Sequence, residues 1–320
     1  MTTFKEISGQ LIKTLSSDPA NPQEGQIWYN NSIGVLKGYV NLGGTWASGG
    51  NLGTARMQLG GAGTQTLALG FGGYAATGLT AATEEYNGSA WTGGGNLSTA
   101  RNMLGGCGTQ TAALAFGGEV SNVAQNATEE YDGSAWTGGG NMGTARYRLG
   151  SAGIQTAGLA FGGNTTVRVG NTEEYDGSAW TSGGTMATAR RLLGGAGIQT
   201  SALGFGGQTT VNVVDTEEYD GSAWTAGGNM NTARRALAGC GIQTAALGFG
   251  GTITGNTAAT EEYNGTSWTN TTSLTTARNE FAGAGTQTAG LAFGGETTTF
   301  SALTEEYTDP TFATQTITTS

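Results

Sequence analysis

The chain has 320 residues, a net charge of −10, 60 glycines, 3 prolines, 2 cysteines and no histidine. An acidic surplus disfavours nucleic acid and anionic membrane as main partners, since both reward a basic face. No apolar run approaches the roughly 20 residues of a membrane-spanning helix. Without histidine there is no imidazole base, no Ser-His-Asp triad and no imidazole metal ligand.

In chain order, residues 1–46 come first and differ from the rest. The opening MTTFKEISGQLIKTL lacks the apolar core of a secretory signal. Asp18-Pro19 and Asn21-Pro22 mark a turn-rich linker. Residues 10–15 read as a strand, and 26–30 and 35–40 as the two arms of a hairpin that leads to Thr45-Trp46. Trp46 lies 45 residues before Trp91. The segment therefore fits either one degenerate repeat or an anchor that attaches the rest of the chain to a larger assembly; atypical terminal repeats are normal in such arrays.

From residue 47 onward the chain repeats itself. Thr-Ala-Arg ends at Arg56, Arg101, Arg146, Arg190, Arg234 and Arg278. Phe-Gly-Gly begins at Phe71, Phe116, Phe161, Phe205, Phe249 and Phe293. Thr-Glu-Glu-Tyr ends at Tyr86, Tyr131, Tyr175, Tyr219, Tyr263 and Tyr307. A tryptophan follows five residues later at Trp91, Trp136, Trp180, Trp224 and Trp268, and Phe312 takes that place in the last copy. The period, 44 or 45 residues, is the length of a four-stranded β unit, and the long 3.6-residue stripes of helical repeats are missing.

Each copy predicts four strands: a Gly/Ala-rich one after the arginine, an alternating apolar one ending in Phe-Gly-Gly, Thr-Glu-Glu-Tyr, and the segment at the tryptophan. Between the last two, Asp-Gly or Asn-Gly supplies a tight hairpin turn. Small residues come first and bulky rings last, the taper that a wedge of sheet around an axis requires. The expected fold is all-β.

The candidate sites follow from the same alignment. One glutamate of each pair is expected to meet a repeated arginine, within one copy or between copies, and Glu84, Glu129, Glu173, Glu217, Glu261 and Glu305 are read as structural. Neighbouring strand residues face opposite ways, so the two carboxylates of a pair do not converge as a catalytic acid and base. Gln65, Gln110, Gln155, Gln199, Gln243 and Gln287 are expected to bond neighbouring backbone rather than a ligand. The five repeated tryptophans are expected to pack in the core rather than stack on sugars. Cys107 and Cys240 fill a slot that is alanine in four other copies and are read as small buried residues, unable to form a disulfide three repeats apart. No catalytic residue, metal or cofactor is called. Repeat length changes only in the segments 74–82, 119–127, 164–171, 208–215, 252–259 and 296–303. Variable loops on a rigid scaffold are where recognition resides, and Tyr74, Arg168, Val169, Val211 and Phe300 are the candidate binding residues there.

A Gly-Gly pair closing an apolar strand, then Tyr, then Trp, then Arg, resembles the kelch repeat family over about residues 47–312. That resemblance implies a kelch-like β-propeller of four-stranded blades: six regular blades in 47–320, with 1–46 as an anchor or a degenerate seventh. The Gln-Thr pairs and the doubled glutamate are not part of the general kelch pattern. Near-identical copies headed by Gly-Gln-Ile-Trp-Tyr-Asn and Gly-Val-Leu-Lys-Gly-Tyr also resemble repeat proteins of tailed bacteriophage virions, tail fibres and appendages in particular. What these resemblances imply is a non-enzymatic structural or binding protein of the virion. Its partners would be other virion proteins or a host surface receptor or glycan, without nucleic acid or membrane insertion. The alternative is a free bacterial lectin-like or protein-binding propeller, cytoplasmic or exported to the cell surface by a non-classical route. A glycan-processing enzyme comes third.

Overall fold

Glycine and alanine in the first strand of each repeat let neighbouring backbones come together, and that approach sets the architecture. The computed structural model describes residues 12–20, 26–41, 44–309 and 312–317. Asn21-Pro22 and the first two residues of the strand expected at 10–15 lie outside them. Two units separate, Thr45–Thr308 and the combination of Met1–Gly44 with Asp309–Ser320.

In the larger unit, six four-stranded antiparallel sheets occur among the described residues. The third sheet shows the pattern, with strands Gly150–Ile154, Ala157–Phe161, Thr172–Tyr175 and Trp180–Ser182 in spatial order. Its last turn carries Asp176, whose carboxylate accepts the Ser178 and Ala179 N–H groups at 2.8 Å, beside Gly177 at φ 90°. Only glycine takes that left-handed position without strain. On the first strands the close approach is direct. A Cβ on Gly239 would lie 2.4 Å from the Phe205 ring and 2.9 Å from the carbonyl oxygen of Gly195 in the preceding sheet.

Two circuits of hydrogen bonds link each sheet to the one before it, and a third does so at all but one junction. Gln110 donates to the carbonyls of Ala68 and Tyr86, and Gln65 closes the circuit by donating to those of Gly290 and Tyr307 in the sixth sheet. The tyrosines form the second: Tyr131 donates to Glu85 at 2.6 Å and Tyr86 to Glu306 at 2.5 Å. The tryptophans form the third, as when Trp136 Nε1 donates to Thr83 Oγ1 at 2.9 Å. The first two close with residues of Thr45–Thr308 alone. Aromatic packing follows the same path, with Trp136 centred 4.9 Å from Phe71 of the preceding sheet and 5.0 Å from its own Tyr131.

The tyrosine links predict the alkaline limit of the fold. Burial first, and the neighbouring glutamate second, push the hydroxyls of Tyr86, Tyr131, Tyr175, Tyr219 and Tyr263 up to about 12. The unfolded chain sheds these protons near pH 10, while the folded chain keeps them. Stability is therefore fully present below about pH 10 and declines as the pH rises towards 12. The urea midpoint should hold level up to about pH 9.5 and then fall; a level midpoint up to pH ~11.5 would contradict the linkage.

The sixth sheet corrects one expectation. Its strands are Ala282–Gly285, Ala289–Phe293, Thr304–Thr308 and, as the fourth, Thr45–Ser48. Trp46, not Phe312, stands opposite Tyr307, while Phe312 pairs with Asn41 in the smaller unit. Both residues fit the repeat spacing, and only the strand pairing distinguishes them. The third circuit is also incomplete at this seam: Trp46 Nε1 and Thr260 Oγ1 are both buried without a hydrogen-bond partner.

In the smaller unit, the hairpin expected at 26–30 and 35–40 forms, Ile27–Asn30 against Val35–Asn41. Lys13–Leu15 joins it in parallel on one edge and Phe312–Thr316 in antiparallel on the other. The Asp18 carboxylate accepts from Trp28 Nε1, Asn30 Nδ2 and Lys37 Nζ. The Lys37 bond, followed by the Asn30 bond, holds its pKa below the usual carboxylate value.

Candidate functional site

The repeated arginines are fully buried, and each lies 3.0–3.2 Å from the first glutamate of its own repeat, from Arg56–Glu84 through Arg278–Glu305. Desolvation lowers the arginine pKa values, with the facing glutamate opposing it. The second glutamate faces the other way and takes the tyrosine of the following sheet. The first carboxylate of each pair is therefore spent within its own sheet and the second on a link to the next one. The glutamine amides are likewise bonded to backbone of the preceding sheet. Trp91, Trp136, Trp224 and Trp268 are buried and Trp180 is half-buried. Both cysteines are buried and free, and burial pushes each thiol up to about 12.

The two residues after each arginine tell a different story. They differ from copy to copy: Met57-Gln58, Asn102-Met103, Tyr147-Arg148, Arg191-Leu192, Arg235-Ala236 and Asn279-Glu280. The second of each pair adopts a left-handed φ: Gln58 59°, Met103 54°, Arg148 56°, Leu192 56°, Ala236 54° and Glu280 50°. None is glycine or asparagine, so each position carries strain of about 1 kcal/mol. A closed circle of main-chain hydrogen bonds holds them there. Met103 N–H donates to Gln58 O, Arg148 to Met103, Leu192 to Arg148, Ala236 to Leu192, Glu280 to Ala236, and Gln58 to Glu280, at 2.6–3.0 Å.

These six residues line the mouth of a cavity of about 110 Å³. Leu59, Leu104, Leu149, Leu193, Leu237 and Phe281 form its floor and separate it from a second, glycine-lined space of about 170 Å³. The mouth is chemically asymmetric. On one side Gln58 Nε2 donates to Glu280 Oε2 and Asn102 Nδ2 to Gln58 Oε1, both at 2.6 Å. Burial raises the Glu280 pKa, opposed by Gln58 and Arg148. On another side Arg148 lies 5.7 Å from the centre of the Tyr147 ring.

The variable loops join this same end, because the residue after each arginine bridges to the first loop residue, as in Tyr147–Asn164, Arg191–Gln208 and Asn279–Glu296. Of the five loop residues singled out from sequence, Tyr74 and Phe300 come together across the first and sixth sheets, with ring centres 6.1 Å apart. Val211 is exposed. Val169 is half-buried, with its N–H donating to Gly163 O. Arg168 is half-buried and its Nε is shielded without a hydrogen-bond partner. The mouth residues themselves escape a search for familiar chemistry, since Gln, Met, Arg, Leu, Ala and Glu share none. The signal that exposes them is variation at two positions flanked by invariant Thr-Ala-Arg and Leu/Phe. No protein-family model matches the chain, and no curated protein matches it.

Proposed function

We propose that Thr45–Thr308 is a kelch-like six-bladed β-propeller and that the protein is a non-enzymatic binding component of a tailed-phage virion. Its variable end would contact a host surface or other virion proteins. One observation carries the binding reading: near-identical copies diverge after the arginine and in the following loop, and both places gather at one end. Three features support the propeller: six successive four-stranded sheets, small residues on the first strands, and hydrogen-bond circuits that run from the sixth sheet back to the first. The kelch and virion assignments rest on the sequence resemblances.

Two measurements test this. Purified particles should contain the chain at fixed stoichiometry. Replacing Tyr74, Arg168, Val169, Val211 and Phe300 together by alanine should abolish attachment of the labelled chain to host cells or to particles lacking it, with the melting temperature nearly unchanged. Absence from particles would remove the virion assignment, and full attachment by the quintuple variant would remove the binding end.

A further inference from the structure

Ten arginines occur in the sequence. Six are consumed in the buried pairs, and the remaining four, Arg148, Arg168, Arg191 and Arg235, all sit at the variable end of three successive sheets. None of these four has a carboxylate within ion-pair distance among the described residues. In a chain of net charge −10, four cations gathered at one end without an ion pair among the described residues call for a reason.

The loop equivalences sharpen the point. Arg168, Asn212, Asn256 and Phe300 occupy the same place in successive loops, each bridging back to the loop start. From that place Asn212 donates to the Thr252 and Ile253 carbonyls of the next loop and accepts from Arg235 at 3.0 Å. Asn256 repeats the arrangement with Glu296, Thr297 and Asn279. Phe300 reaches forward to Tyr74. In the third sheet the residue is Arg168, and the group ahead of it is Arg191, so cation meets cation where the next two sheets set an amide against Arg235 and Asn279. Arg168 Nε is left shielded and unpartnered. Arg191 is held by Gln208 Oε1 alone, through Nε and Nη2 at 3.2 and 3.1 Å. Its pKa is lowered first by desolvation, then by Arg148 and Arg168.

Resting on the reading of this end as a binding surface, we propose that Arg168 and Arg191, flanked by Arg148, bind the carboxylate or sulfate of an acidic saccharide. A guanidinium fork suits a planar or tetrahedral oxyanion. The neighbours are amides and hydroxyls, with Asn164 Nδ2 donating to Tyr147 O–H at 2.9 Å and Gln208 beside Arg191. That is a lining for a hydroxylated ring rather than for a peptide side chain. The overall negative charge selects against polyanions, whose many charges would be repelled, and tolerates a ligand with isolated anionic groups.

The test uses the full chain with four probes: glucuronate, glucose 6-sulfate, glucose and tetraglutamate, titrated at constant ionic strength. Glucuronate or the sulfate ester should bind, and glucose and tetraglutamate should bind at least about tenfold more weakly, as loss of charge-assisted hydrogen bonds implies. Arg168→Asn installs the residue of the next two sheets, so it should fold, melt no lower than the parent, and lose about tenfold or more in affinity for the acidic sugar. Arg191→Gln should lose a similar factor. Equal binding of glucose, preference for tetraglutamate, no binding of either acidic sugar, or unchanged affinity in Arg168→Asn each overturns the anion site. If the anion site fails while the quintuple loop variant still loses attachment, the binding end stands. If that variant also attaches normally, both readings fall.

Discussion

Arg190→Ala is expected to lower stability by about 3–5 kcal/mol, because it leaves the Glu217 carboxylate buried without its cation. For a domain of this size that is a fall in melting temperature of roughly 10 °C. Arg190 is fully buried. It donates to the carbonyls of Asp215 and Gly204 at 2.8 and 3.1 Å and lies 3.2 Å from Glu217 Oε1. Glu217 in turn accepts the Ala187 and Thr188 N–H groups of the incoming segment. One substitution thus strands a charge and two carbonyls at once. The pair fixes the register of the connection more than it adds net stability, since desolvation offsets much of the Coulomb gain. The variant should bind its partner normally at temperatures where it is folded. An unchanged melting temperature, with lost binding, would place Arg190 in recognition instead.

The seam gives the second large effect. Trp46→Ala removes a side chain that is 7% exposed and centred 5.1 Å from both Phe249 and Tyr307, and should destabilise by about 3–5 kcal/mol. Trp46→Phe should cost only the lost ring area, because the Nε1–H it deletes has no hydrogen-bond partner. The same change at Trp136 deletes the bond to Thr83, a residue only 2% exposed, and should cost about 1–2 kcal/mol beyond the lost ring area. Chemical denaturation of the variants decides it. If Trp46→Phe is destabilised as much as Trp136→Phe, the indole N–H at the seam is bonded after all.

Much of the architecture was readable because repetition multiplies weak signals. A single Asp-Gly or Gly-Ala-Gly says little, whereas the same residues at one spacing in every copy define strands, turns and taper together. Periodicity has a blind spot, however. A repeat reads the same from either end, so the tryptophan place of the last copy is open to Phe312 as well as to Trp46, and only three-dimensional pairing separates them. The variable end was half legible. Loop-length changes pointed to Tyr74, Arg168, Val169, Val211 and Phe300 one by one, but not to the contact between Tyr74 and Phe300 nor to the forward reach that sets Arg168 against Arg191. The mouth residues were hidden because their left-handed backbone is imposed by neighbouring sheets, not by glycine, and leaves no mark in local sequence.

That the sixth sheet borrows Thr45–Ser48 also bears on how the molecule assembles. During synthesis this strand emerges well before its partner Thr304–Thr308, so its edge has to wait, unpaired, for every intervening sheet to form. Each of those sheets is built from local hairpins and nucleates readily, whereas the final pairing joins the most distant segments of the unit and is slow. A late kinetic phase should therefore report on the fluorescence of Trp46 and of Trp91, which packs on Phe293 of the sixth sheet. Until it completes, two open strand edges are available to a second copy of the chain, which makes exchange of this strand between molecules the characteristic misassembly.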